Sequence, residues 1–157
     1  MDISQIEEKL AQLGIRLPDL SSPAANYVPF TLHEGIVYLA GQVPFANGQL
    51  RYSGAVGLDL TLEDGYNAAR ICAINLLANL RAACTGDLGR VKRCLRVGGY
   101  VNSAPGFFEQ HKVINGCSDL IGEVFGDAGR HARSAISATP LPLNAAVEVD
   151  AIFAVER

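Results

Sequence analysis

The chain has 157 residues, of which 49% are hydrophobic and only 18% charged, and its formal net charge is −3. That length suffices for a buried core, and the negative balance offers no global field to attract nucleic acid. The charged share lies below the usual value of about 25%, so part of the apolar surface is expected to be covered by another subunit.

The opening "MDISQIEEKLAQLG" lacks the basic and apolar regions of a secretory signal. No apolar run reaches the roughly 18 residues that a membrane span needs, so a cytoplasmic protein is expected. Ile3, Ile6, Leu10 and Leu13 fall on one helical face, Ser4 and Glu7 read as a capping box, and Gly14 ends the helix. "IRLPDLSSPAANYVPF" is rich in proline and serine and reads as an irregular connection. "GIVYLAGQV" (35–43) is β-branched and aromatic, hence a strand; Asn47-Gly48 then signals a hairpin turn into a second strand near "QLRYSG".

"TLEDGYNAARICAINLLANLRAA" (61–83) is a long helix, capped by Thr61 with Asp64, whose stripe is Leu62, Tyr66, Ala69, Ala73, Leu77 and Leu80. "RVKRCLRVGGYVN" (90–102) alternates as a strand, with Val91, Arg93, Leu95 and Val97 set against Lys92, Cys94, Arg96 and Gly98. "SAPGFFEQHKVINGCSDLIGEVFG" reads as a second long helix that starts at its Ser/Pro signal and stops at Gly126. "GRHARSAISATPLPLNAAVEVDAIF" supplies two last strands joined by "TPLPLNAA". The order predicts one α+β domain across 1–157, with two long helices packed on one sheet face.

Cys72, Cys84, Cys94 and Cys117 form no C-x-x-C pair, and His33, His111 and His131 have no metal-ligand spacing. Reduced core thiols and no metal are therefore expected. There is no phosphate loop, dinucleotide fingerprint or G-x-S-x-G motif, so neither a nucleotide cofactor nor nucleophilic catalysis is supported.

What stands out is charge inside apolar strands. Arg133 shares a strand face with Ala135, Ser137 and Thr139; Glu148 and Asp150 oppose Val147, Val149, Ala151 and Phe153. Each face fits either a solvated sheet surface or the wall of a ligand pocket. Asn115 and Gly116, both poor helix formers, sit mid-helix in "KVINGCSDL". A close helix contact would account for Gly116, and an outward-turned amide at an interface for Asn115. Tyr27 suits a packing tyrosine, and Gly41 a bulge or a close backbone approach.

These stretches together resemble the RidA (YjgF-like, L-PSP endoribonuclease-like) family of reactive intermediate deaminases. The resemblance rests on Tyr27, "VYLAGQVPF", the Asn of "VINGCSDL", and "ARSA…LPLNAAVEVDAI". It covers roughly 24–157, leaving 1–23 as an N-terminal helix and connection; that extension and the "HARSA" form mark a subgroup. The resemblance implies a chorismate mutase-like fold, a homotrimer with clefts between subunits, and no cofactor. It gives Arg133 as the clamp on a substrate carboxylate, a task suited to its planar fork, and Glu148 as the group that orients a water. Tyr27, Asn115, Gly41 and Ala135 become substrate-binding positions. Ala40 and Ala135 depart from the serine and cysteine that many members carry there.

The implied reaction is hydrolysis of 2-imino acids, formed from enamines, to 2-keto acids and ammonia. Three other readings share these residues. One is a trimer that binds a small carboxylate without turnover, as a sensor or partner-binding module. Another is a ribonuclease, which scattered histidines and negative charge argue against. The last is a chorismate mutase-type rearrangement, which asks for more cations than the sequence places.

Overall fold

The computed structural model describes residues 2–19 and 26–157. The predicted boundary at residue 23 and the middle of the Pro/Ser-rich connection lie outside the described residues.

Helix α1 is Ile3–Gln12, and it buries Ile6 and Leu10. Its cap is two residues earlier than the sequence suggests. Asp2 is the N-cap and its backbone N–H donates to Gln5 Oε1 at 3.1 Å, so Ser4 and Glu7 lie inside the helix. The Asp2/Gln5 pair serves the same physical need, satisfying backbone donors that the first turn leaves free.

Strands β1 (Phe30–His33) and β2 (Ile36–Gln42) form the first hairpin, turning at Glu34-Gly35, where φ is 49° and 81°. The sequence reading missed β1 and placed the hairpin one turn later. Asn47-Gly48 does turn the chain with positive φ at both residues, but it joins only β3 (Phe45–Ala46) to β4 (Gln49–Leu50), a separate two-stranded ribbon. Helix α2 (Leu62–Ala83) starts where predicted, with Thr61 and Asp64 capping each other. Of the predicted stripe Ala69, Ala73, Leu77 and Leu80 are buried, while Leu62 and Tyr66 at the helix start are only partly so. The buried arc also takes in Ala68, Cys72, Leu76 and Ala78, because the helix lies against both the sheet and its neighbour α3.

Strand β5 (Val91–Val101) contains two bulges, between Val91 and Arg93 and between Cys94 and Arg96. They break the predicted alternation: Cys94 turns inward and Leu95 outward. Helix α3 is Gln110–Phe125. It begins later than "SAPGFF" suggests, because Gly106 takes φ +83° and that segment runs as a turn. Strands β6 (Ala132–Ser137) and β7 (Val147–Val155) close the chain.

The five-stranded sheet has the order β1-β2-β7-β5-β6, antiparallel except for the parallel β5–β6 pair. Val37, Leu39, Cys94, Val97, Val149, Ala151 and Phe153 point from it into the core under α2 and α3. β7 alternates strictly, so Glu148, Asp150, Ile152 and Ala154 lie on the other face. No helix is packed on that second face among the described residues, and it leaves Tyr38 50% and Ile136 53% exposed. Among the described residues no helix is long and apolar enough to cross a membrane.

Candidate functional site

Arg133 sits on the edge strand β6, opposite Val97 of β5, and both residues face the helices. Being at the edge, it reaches past the core onto α3. Its Nη1 donates to Asn115 Oδ1 at 2.9 Å and to Ser118 Oγ at 3.0 Å; its Nη2 donates to the His111 carbonyl at 3.1 Å. The guanidinium is thus no solvated edge group. Hydrogen bonds to a charged group contribute about 1.5–3 kcal/mol each, so three of them outweigh the roughly 2 kcal/mol of rotamer freedom an arginine loses. Nε–H and the second Nη2 hydrogen find no acceptor among the described residues. Two N–H groups on a fixed plane match the two oxygens of a carboxylate.

Asn115 and Ser118 are three residues apart on α3 and so share a face. The sequence picked out Asn115 for its poor helix propensity, whereas Ser118 is unremarkable in a helix and passed unnoticed. Gly116 has the predicted close helix contact. A Cβ there would run into the Tyr66 carbonyl of α2, with that carbonyl's carbon at 2.9 Å and Arg70 N at 3.2 Å.

Glu148 lies on the opposite face, paired across the strands with Tyr100. Partial burial raises its carboxyl pKa above the ordinary range, and the neighbouring Asp150 raises it further. Asp150 in turn contacts Arg96 at 3.4 Å and helps raise the pKa of the Tyr100 hydroxyl. Gly41 leaves room for the Glu148 carboxylate. A Cβ at that position would overlap Oε1 and stand 3.1 Å from Cδ, beside the bulge between Leu39 and Gln42 of β2. What comes close to Gly41 is thus the Glu148 side chain and not the backbone approach the sequence suggested, while the suggested bulge is present.

The sheet therefore stands between Arg133 and Glu148 within one chain. Asn115 gathers with Arg133, and Gly41 gathers with Glu148. Ala135 lies half-buried on the Arg133 side, opposite Gly99. Tyr27 is 55% exposed ahead of β1. Among the described residues no group of three or more His, Cys, Asp or Glu side chains could hold a metal ion.

A profile described as "YjgF/chorismate mutase-like, putative endoribonuclease" matches residues 7–155. The chain belongs to this YjgF/chorismate mutase-like family. Protein TCP17 of Trypanosoma cruzi is 44% identical over 149 residues, spanning 94% of this chain and 92% of its own. The crystal structure of Atu1372 from Agrobacterium tumefaciens, a protein of unknown function, is 43% identical. It superposes with a TM-score of 0.92 over 99% of this chain and 94% of its own. E. coli TdcF, solved with bound serine, shares the fold at 20% identity and a TM-score of 0.58, over 90% of this chain and 94% of its own. The α+β architecture, with two long helices on a mixed sheet, is the YjgF-like fold.

In this YjgF-like chain the sequence reading overlooked two neighbours of Arg133. Ser118 is one. The other is His131, whose Nε2 lies 2.9 Å from Ser118 Oγ. A signal for His131 was present in "HARSA", two residues before the arginine and on the same strand parity, but no spacing rule linked it to a serine thirteen positions earlier.

Proposed function

We propose that the protein hydrolyses 2-imino acids to 2-keto acids and ammonia without a cofactor, in clefts between the subunits of a homotrimer. The observation that carries the reading is Arg133: three acceptors hold it, and two N–H groups remain for a carboxylate. The serine bound to TdcF is a ligand with such a group. Arg133 would take the substrate carboxylate, with Asn115 fixing the guanidinium. Glu148, which Gly41 leaves room for, would take a proton from the attacking water; a raised pKa suits a base that must later give the proton back.

Water adds to the iminium carbon, the carbon–nitrogen bond breaks, and nitrogen leaves as ammonia once protonated. An iminium carbon is already electrophilic, so orientation and proton transfer are sufficient. Tyr27 and Ala135 would line the cleft. Because the sheet lies between Arg133 and Glu148, one site using both needs two copies of the chain. The uncovered sheet face, with Tyr38 and Ile136 exposed, is a surface on which such copies can pack.

The test generates imino acids with an amino acid oxidase and traps the remainder with semicarbazide. Wild type should suppress trapping; Arg133→Ala should not, while sedimentation still reports a trimer. A wild-type trimer that binds 2-ketobutyrate without suppressing trapping would refute turnover and leave a carboxylate-binding module. RNA cleavage abolished by Arg133→Ala would move the site to the ribonuclease reading.

A further inference from the structure

The hydrogen bonds behind Arg133 continue past Ser118. His131 Nδ1 lies 2.6 Å from the Gly129 carbonyl, and Nε2 lies 2.9 Å from Ser118 Oγ. A carbonyl only accepts, so Nδ1 carries the hydrogen and Nε2 of the neutral ring is an acceptor. The Ser118 hydroxyl then donates to Nε2, which turns its lone pairs toward Arg133 Nη1, 3.0 Å away. Each donor in this chain meets one acceptor, from the Gly129 carbonyl to the guanidinium.

We infer that His131 is a positioning residue, which sets the Ser118 hydroxyl as an acceptor and through it holds the Arg133 guanidinium ready for a carboxylate. This rests on the proposed role of Arg133 as the clamp. The sequence had left His131 without a task.

The geometry supports a specific function over simple packing. Ser118, His131, Arg130 and Arg133, with Gly122 and Gly129, line an open depression of about 310 Å³ beside α3. His131 is half-buried there, and burial together with Arg133 lowers its pKa, favouring the neutral ring that the chain of bonds requires. The other charged groups around this depression and its continuation are Arg130 and Asp127, with Asp119 and Glu123 on α3. None of these four hydrogen-bonds the His131 ring, so the Ser118 bond is its link to the site.

The test compares His131→Phe, His131→Gln and Ser118→Ala with wild type. Phenylalanine keeps the volume and removes the acceptor; the Gln amide oxygen can stand where Nε2 stands. His131→Phe and Ser118→Ala should raise KM for the imino acid, and Kd for 2-ketobutyrate, about tenfold. The turnover number should change less than about twofold, since the carboxylate contact is made equally in the ground and transition states. His131→Gln should restore most of the affinity. A wild-type KM in folded His131→Phe, or equal impairment of Gln and Phe, overturns the inference. Nitrogen NMR gives a readout that does not depend on activity. Wild type should show the Nδ1–H tautomer of His131 and slow exchange of the Arg133 Nη1 protons, and that exchange should quicken in Ser118→Ala and His131→Phe. If wild type neither turns over imino acids nor binds 2-ketobutyrate, the proposed function fails, and the NMR comparison alone decides whether His131 holds Arg133. Unchanged exchange in both variants would sink the inference even in an active enzyme.

Discussion

Gly41→Ala isolates one atom of the proposed mechanism. Gly41 is not among the glycines with positive φ, so alanine brings no backbone strain and only its methyl group matters. That methyl would overlap Glu148 Oε1, with Cδ at 3.1 Å and Cγ at 3.3 Å. The carboxylate is the free end of a flexible side chain, so it swings away instead of forcing β2 and β7 apart. An off-rotamer side chain costs about 0.5–1.5 kcal/mol, which for a chain of this size lowers Tm by roughly 2–6 °C. The catalytic cost is larger, because a carboxylate displaced by about 1 Å can lose about 100-fold in rate. The semicarbazide assay should therefore show kcat reduced about 100-fold with little change in KM, Arg133 being untouched on the other face. Combined with Glu148→Ala, Gly41→Ala should add almost nothing, since the group it displaces is gone. Wild-type kcat in Gly41→Ala, or full additivity with Glu148→Ala, would refute the role given to that carboxylate. A Tm loss far beyond this range would mean that the strands had moved instead.

Other outcomes follow from the same contacts. Gly116→Ala drives a methyl into the backbone of Tyr66 rather than a flexible side chain; melting should show a loss of at least about 1–3 kcal/mol, whereas Gly122→Ala, with nothing nearby on the same helix, should be neutral or stabilising. His131 has a lowered pKa, so the unfolded chain binds more protons between that value and the ordinary 6.5. Stability is lost as pH falls through this window, and pH-dependent melting of His131→Gln should lack that slope. Glu148 has a raised pKa, so the folded chain binds the extra proton; stability is full below the ordinary 4.5 and declines as pH rises through the raised value. Glu148→Gln should therefore melt higher than wild type at pH 7, lose that advantage in acid, and hydrolyse no imine; an unchanged or lower Tm at pH 7 contradicts the burial argument.

Much of the fold follows from short-range patterns. Thr61 and Asp64 mark the start of α2, because a cap is satisfied within one turn. The alternation of Val147 to Val155 predicts which side of β7 is buried, because residues of one strand face share one environment. Local signals failed where another segment set the geometry. The bulges of β5 follow from its register against β7, and β1 exists because β2 offers it an edge. The segment "SAPGFF" has a helix start signal, yet its Gly57–Phe107 packing and the Ala104 N–H bond to the Val56 carbonyl hold it as a turn.

The sequence by itself determined the chemistry at hand: one arginine and one glutamate in two apolar strands, an out-of-place Asn-Gly in a helix, and a resemblance that tied them together. It could not say what those groups meet. Only the tertiary structure turned Arg133 onto Asn115 and Ser118, linked His131 to them, and set Glu148 against Gly41 on the other side of the sheet. The reason is distance along the chain. Arg133 lies 18 residues from Asn115, and Gly41 is on β2 while Glu148 is on β7. Such pairs meet only after helices and strands have packed, and no periodicity within a single element records that meeting.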